Sequence, residues 1–340
     1  MPQGSGAPYT HEFYRRHREA SLRSAREIVP LVLRLVQPRS VVDVGCGIGT
    51  WLSVFREHGV TDVCGMDGDW VDKTMLIIPA DRFLAVDVRR PLQLDRRFDL
   101  AVSLEVAEHL PRECAQAFVD SLTRLAPAVL FSAAIPFQGG TGHINEQWPD
   151  YWVEYFAENR YAVIDCIRKT IWQNARVEWY YAQNALMFAS PDFLARSPAL
   201  QQELAHTATS QLSLVHPRKY LEAIADMRRL LLTTQDIAAV IPPGDSFILV
   251  DHDMVRTELA VGRPAIPFLE RDGQYWGPPE DDMTAIREVE RLRRVGAGFI
   301  VFAWPAFWWL EYYSKFHEYL RSRFPCVSTT ERLVAFDLRG

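Results

Sequence analysis

The chain has 340 residues, 48% of them hydrophobic and 24% charged, the balance of a globular protein long enough for one large domain or two ordinary ones. A formal net charge of -6 leaves no global basic surface for a phosphate backbone, so nucleic acid is not expected as a partner. The five cysteines, Cys46, Cys64, Cys114, Cys166 and Cys326, are scattered without a C-x-x-C pair, which argues against a disulfide framework and a zinc site; reduced thiols, a cytoplasmic location and no metal are expected.

Residues 1–10 are rich in Gly, Pro and Ser and are followed by charged residues, so they lack the apolar core of a signal peptide, and no apolar run reaches membrane-spanning length. From Glu12 to Val36 apolar residues recur at helical intervals among arginines, predicting one or two helices that end before Pro38. Strand and helix patterns then alternate: strand Val41 to Val44, helix Trp51 to His58, strands Asp62 to Met66, Arg82 to Val86 and Phe98 to Leu104, helix Arg112 to Leu125 and strand Ala128 to Ala133. Such alternation is the pattern of a doubly wound, mostly parallel sheet. A helix at Tyr151 to Asn159 follows, then strand-like segments at Tyr161 to Arg168 and Ala185 to Ser190.

After Ser190 the composition shifts to helix formers, and Pro242-Pro243-Gly244 punctuates the chain before a second α/β pattern. Its pieces are a strand at Ser246 to Val250, a helix at Asp282 to Arg294, a strand at Gly298 to Phe302, a helix at Trp308 to Arg323 and a last strand at Arg332 to Leu338. Trp308, Tyr312, Phe316 and Tyr319 fall at three- and four-residue steps, a stripe that suits a core or an interface. The polar loop Arg271 to Asp282, marked by Gly and Pro, carries the mix of aromatic and planar polar groups used in carbohydrate binding.

The chemistry concentrates around Val41-Val42-Asp43-Val44-Gly45-Cys46-Gly47-Ile48-Gly49-Thr50, an apolar run ending in closely spaced glycines. Thr50 stands where the dinucleotide fingerprint G-x-G-x-x-G has its third glycine, which disfavours a nicotinamide-dependent oxidoreductase. Carboxylates recur at successive strand ends: Asp67 after the second strand, where an acid can accept ribose hydroxyls, Asp87 after the third, and Glu105 after the fourth in F-D-L-A-V-S-L-E-V-A-E-H-L-P. Past the fifth strand, the loop Ile135 to Trp148 is glycine-rich and polar, and it holds His143 and Glu146, a base with an orienting acid. His109 is the competing base, with helix-start packing as its alternative role.

Taken together, D-V-G-C-G-I-G-T and the strand-four segment resemble class I S-adenosylmethionine-dependent methyltransferases over roughly residues 10 to 190. The resemblance implies a Rossmann-like α/β sheet, mostly parallel with an antiparallel last strand, and S-adenosylmethionine as cofactor. It implies an N-terminal helical lid at 1–40, in which Phe13, Tyr14 and Arg15 cover the cofactor, and a methyltransferase domain at 41–190; the composition shift and the Pro-Pro-Gly punctuation add a helical linker at 191–240 and a C-terminal α/β accessory domain at 241–340. Asp43, Gly45, Cys46 and Gly47 would lie under the methionine moiety, Asp67 and Gly68 at the ribose, Asp87 and Val88 at the adenine, and Glu105 near the sulfonium. Trp172, Trp179, Tyr180, Tyr181 and Asn184 would border the acceptor, and His143 with Glu146 would deprotonate it. The segment with I-P-P-G-D-S-F and W-W-L-E-Y-Y resembles a module of bacterial glycan-modifying proteins, which points to a hydroxylated small molecule or glycan as acceptor. A non-catalytic cofactor-binding scaffold of a glycan assembly complex is the alternative, and a homo-oligomer is compatible with either.

Overall fold

The computed structural model describes residues 11–254 and 262–340. The chain divides into two compact units, one ending at Tyr220 and the other beginning at Leu221. In chain order the first contains α1 (His11–Val36), β1 (Ser40–Val44), α2 (Thr50–Glu57), β2 (Asp62–Asp67), β3 (Phe83–Ala85), β4 (Leu100–Leu104), α3 (Ala115–Leu125) and β5 (Ala128–Ser132). It continues through α4 (Pro149–Glu158), β6 (Ala162–Ile164), α5 (Arg168–Ile171), α6 (Trp179–Asn184), β7 (Leu186–Ala189), α7 (Pro191–Leu194) and α8 (Pro198–Ala205), and the division falls within α9 (Pro217–Val240).

Seven strands form one sheet in the order β3-β2-β1-β4-β5-β7-β6. The first five are parallel, and β7 runs antiparallel to both β5 and β6. Every residue of β1, β4, β5 and β7 is buried, because helices cover both faces and leave no polar side. Alternate side chains therefore feed two separate cores. Val41, Leu100, Val102 and Leu130 join the α1 and α2 side with Ile28, Val32, Leu52 and Phe55, while Val42, Val44, Val129 and Phe131 join the α3 and α4 side with Phe118, Trp152 and Phe156. Each such aliphatic or aromatic side chain contributes about 1.5–3 kcal/mol on leaving water.

The strand expected at Tyr161 to Arg168 stops at Ile164, and Arg168 opens α5 instead. Its guanidinium is buried and binds Asp165 through Nε and Nη2 at 3.0 and 2.7 Å, and the carbonyls of Gln183 and Leu212 through Nη1 at 3.0 and 2.7 Å. Trp179 to Asn184, expected beside the acceptor, forms the helix α6 between β6 and β7. The helix α1 is continuous from His11 to Val36 with Pro30 inside it. The side chains of Phe13, Tyr14 and Arg15 lie outside the described residues.

The second unit carries a five-stranded sheet, β13-β14-β12-β8-β9. Its elements are β8 (Ser246–Val250), β9 (Ala265–Pro267), the hairpin β10 (Glu270–Arg271) and β11 (Gln274–Tyr275), α10 (Asp282–Arg294), β12 (Ala297–Ala303), α11 (Trp309–Tyr312), α12 (Ser314–Arg323), β13 (Cys326–Thr329) and β14 (Leu333–Asp337). The central pairs β12-β8 and β8-β9 are parallel, and β14 is antiparallel to its two neighbours. Asp272 and Gly273 both take positive φ, 51° and 77°, the turn that joins two short strands without splaying them. The aromatic stripe is not one helix face: the helix breaks at Tyr313, so Trp308 and Tyr312 are exposed while Phe316 is buried.

Arg168→Ala should destabilise the first unit by about 3–5 kcal/mol, because it leaves the Asp165 carboxylate and two buried carbonyls without their donor. Urea denaturation monitored by tryptophan fluorescence reads this, and a change below about 1 kcal/mol would show that Arg168 is dispensable.

Candidate functional site

The glycine loop leaves β1 with the Gly45 and Cys46 amides donating to the Met66 carbonyl at 2.7 and 3.2 Å, which ties the loop to the end of β2. Gly45 has φ +84°, and a Cβ there would stand 2.4 Å from Cγ2 of Val106, so β1 and the turn after β4 meet at a distance only glycine permits. Asp67, at the end of β2, accepts the Gly47 amide at 2.7 Å on one oxygen and the Gly68 amide at 2.6 Å on the other. The carboxylate placed at the ribose from sequence thus also braces the loop, with lone pairs left for hydroxyl donors. Burial raises its pKa, and those two amides oppose the rise.

Asp43 is buried beneath the loop, and its Oδ2 has no hydrogen-bond partner. Burial, then the charge of Asp67, pushes its carboxyl well above the usual range. The Cys46 thiol is pushed up by the same surroundings. Trp70, half exposed, lies over Gly68, where a Cβ would stand 2.2 Å from the indole; sequence reasoning passed over this residue because a lone tryptophan in a loop carries no spacing signal. Asp87 is engaged by Arg89 through its backbone amide at 3.1 Å and its guanidinium at 2.8 and 2.9 Å, which holds the carboxyl below its ordinary value, and Val88 packs into the α3-side core.

Glu105 follows β4 in the left-handed region, φ +55°, with its amide donating to the carbonyl and hydroxyl of Ser132, both at 3.1 Å. Its carboxylate accepts from Gln138 Nε2 at 2.8 Å and from Asn184 Nδ2 at 3.0 Å. Gln183 closes this polar cluster by donating to Gln138 Oε1 at 3.1 Å and to Asn184 Oδ1 at 3.0 Å. Burial raises the Glu105 pKa against these donors. Tyr181 lies at the same end of the sheet: its hydroxyl is pushed up to about 12, chiefly by burial, with Glu105 and Asp43 adding to the rise and the bond to Ser21 of α1 opposing it. Gln138 and Gln183 were not singled out from sequence; the adjacent Gln183 and Asn184 ahead of an apolar strand are the signal that could have found them.

The loop after β5 brings His143 and Glu146 together, as their spacing suggested. His143 Nδ1 donates to Glu146 Oε1 at 2.9 Å, and the same oxygen accepts the Gly139 amide at 2.7 Å. His109 arrives from the short helical turn after β4, its Nδ1 donating to the Gly142 carbonyl at 3.2 Å, and the two imidazoles meet edge to face with centroids 4.8 Å apart. The candidate base and its competitor are therefore neighbours. Burial, then His143, lowers the His109 pKa. Glu108, fully buried and adjacent to His109 in sequence, is pushed well above its usual range by burial and by Glu105.

In the second unit the carboxyl end of β8 leads to His252, whose Nε2 accepts the indole N–H groups of Trp308 and Trp309 at 2.9 and 3.1 Å. Its Nδ1 must then carry the proton, donated to the Tyr275 hydroxyl at 2.9 Å. Trp276, Trp308 and Tyr312 are exposed, and the Arg271 guanidinium lies 4.7 Å from the Trp276 ring centroid.

A glycine loop after β1, acids at successive strand ends and an antiparallel β7 define the first unit as a Rossmann-like α/β domain. Residues 14–173 match a protein-family model described as a methyltransferase domain. Among solved structures, magnesium protoporphyrin IX methyltransferase from Synechocystis with bound SAM is similar at 18% identity and TM-score 0.36, over 54% of this chain and 86% of that one. An O-methyltransferase family protein from Burkholderia thailandensis is 13% identical with TM-score 0.39, over 53% and 57% of the two chains. A sugar N-methyltransferase from a Streptoalloteichus species is 21% identical with TM-score 0.34, over 42% and 64%. A search of curated protein sequences gave no significant match. Among the described residues, no helix is long and apolar enough to cross a membrane.

Gly45→Ala should cost about 1–3 kcal/mol, since the new methyl group must displace Val106 from a positive-φ position. Differential scanning calorimetry of this variant beside Gly59→Ala, where φ is also positive but a Cβ meets nothing within 4 Å, separates the clash from the strain; equal losses in the two would remove the clash from the account.

Proposed function

We propose that the first unit is an S-adenosylmethionine-dependent methyltransferase acting on an oxygen of a carbohydrate or other hydroxylated small molecule, in glycan or natural-product biosynthesis. The observation that carries the reading is the set of carboxylates at the carboxyl ends of β1, β2 and β4, Asp43 buried and Asp67 and Glu105 partly so, within the span that matches a methyltransferase domain. Buried carboxylates lacking a full set of partners suit a cationic ligand. The sulfonium and ammonium of S-adenosylmethionine supply positive charge, which fits the unpartnered Oδ2 of Asp43 and the carboxylate of Glu105.

In this reading Asp43, Gly45, Cys46 and Gly47 hold the methionine end, Asp67 and Gly68 the ribose with Trp70 beside them, and Asp87 and Val88 the adenine. The cofactor brings an already activated methyl group. What remains for the chain is to place an acceptor in line with it and to assist departure of the hydroxyl proton. His143 stands on the acceptor side, oriented by Glu146, with Gln138, Gln183 and Asn184 fixing Glu105 between the two. The exposed aromatic surface and neutral His252 of the second unit favour a sugar-containing acceptor, because ring faces and planar donors match a hexose.

Calorimetry should show binding of S-adenosylmethionine and S-adenosylhomocysteine and none of NAD; NAD binding without adenosylhomocysteine binding would overturn the donor assignment. Asp67→Ala should weaken cofactor binding first, and unaltered affinity would remove Asp67 from the ribose. His143→Ala should leave cofactor affinity nearly unchanged and reduce turnover by roughly two to four orders of magnitude. Full activity there, assayed by mass spectrometry with labelled S-adenosylmethionine and a panel of nucleotide sugars, glycans and lipid-linked intermediates, would exclude His143 from acceptor activation.

A further inference from the structure

Glu108, His109 and His143 present one donor atom each within 4.8 Å of one another. Glu108 is fully buried, and neither of its carboxylate oxygens has a hydrogen-bond partner. An unpaired carboxylate costs several kcal/mol to bury unless a cation or proton meets it. The rings are oriented in a particular way. A carbonyl and a carboxylate can only accept, so the bonds to Gly142 and Glu146 place a proton on Nδ1 of each imidazole. Histidines that ligate a metal are held in this manner, one ring nitrogen donating to a carbonyl or carboxylate while the other faces the ion.

The backbone keeps the three groups together across a sequence separation of 35. The amides of Ile144 and Asn145 both donate to the Glu108 carbonyl, at 2.9 and 3.0 Å, clamping the loop that bears His143 onto the turn that bears Glu108 and His109. Gly140, φ +154°, packs against the His143 ring, where a Cβ would stand 2.2 Å from Nε2. Donors sharing one ion at about 2.0–2.2 Å stand roughly 3–3.5 Å apart, so side-chain movements of about an ångström close the set.

We propose that Glu108, His109 and His143 bind a divalent first-row transition metal ion, of the manganese, cobalt or zinc class, at the carboxyl end of β4. Two imidazoles and one carboxylate favour these borderline cations over calcium and magnesium, which prefer all-oxygen sites. Three protein ligands leave coordination positions for an oxygen of the acceptor or for water. The cysteine pattern could not reveal such a site, because it contains no cysteine. For its effect on turnover the inference rests on the methyltransferase reading: His143 would then act on the acceptor through the ion it holds. The ion binding itself does not depend on that reading.

The test uses the full chain after chelation and dialysis, titrated with Mn2+ by electron paramagnetic resonance and with Co2+ by absorption. Binding of one ion per chain, with no thiolate charge-transfer band from Co2+, is expected. His143→Ala and Glu108→Gln should each weaken Mn2+ binding at least about tenfold, and Glu146→Gln, which keeps all three ligands, by about 10–100-fold. S-adenosylmethionine affinity, measured on the same samples, should be retained and reports that each variant is folded. Absence of stoichiometric binding in the native chain, or affinity unchanged in all three variants, overturns the metal site. Chelated protein that binds S-adenosylmethionine and transfers methyl groups at full rate would overturn the ion's part in turnover while leaving the donor assignment standing; loss of cofactor binding in a chain that still takes up one Mn2+ would overturn the donor assignment and leave the ion site standing.

Discussion

A half-buried carboxylate at the end of β4 is the constraint on which the site depends. Glu105 emerges from a fully buried strand and is itself only partly exposed, so its carboxylate is met by donors from other elements. Gln138 comes from the loop after β5 and Asn184 from the end of α6, and Gln183 ties those two to each other. Satisfying one carboxylate thereby fixes two connections that share no sequence neighbourhood. Arg168 has the same role one level down, joining α5 to the end of α6 and to the loop at Leu212 through two carbonyls.

The same end of the sheet gathers Asp43, Asp67 and Glu108, and the local energetics differ for each. Asp67 is met by two loop amides, whereas Asp43 and Glu108 keep unpartnered oxygens at full burial. In a medium of low polarity, carboxylates of this kind stay neutral or attract a cation. A sulfonium cofactor on one side and a metal ion on the other would divide that demand between Asp43 and Glu108, with Glu105 between them. The positive-φ turn at Glu105 lets one short segment serve both sides.

The second unit follows similar rules with different chemistry. Its central parallel strands also deliver polar groups at their carboxyl ends, but there a neutral histidine is held by two indoles and a tyrosine. Satisfying both ring nitrogens with uncharged partners fixes the orientation of the His252 ring and leaves an aromatic surface with directed donors. Such a surface matches the hydroxylated acceptor proposed for the protein better than it matches an anionic ligand.

Periodicity, glycine spacing and strand-end acids determined the alternating α/β order, the position of the glycine loop and the pairing of His143 with Glu146, because each of these depends on residues close in sequence. Val41 to Val44, Ala128 to Ala133 and Asp282 to Arg294 could be read from local patterns alone, since hydrophobic runs and a capped amphipathic helix are decided within ten or so residues. Other features depended on packing at a distance. The strand expected through Arg168 ends early because a buried guanidinium needs Asp165 and two remote carbonyls, and the helix expected from Trp308 breaks at Tyr313 so that Phe316 can enter the core. Only the tertiary structure brought His109 against His143 and closed Gln138, Gln183 and Asn184 around Glu105. Hydrogen-bond partners for a buried group are chosen by proximity in space, and a linear pattern carries no record of that choice.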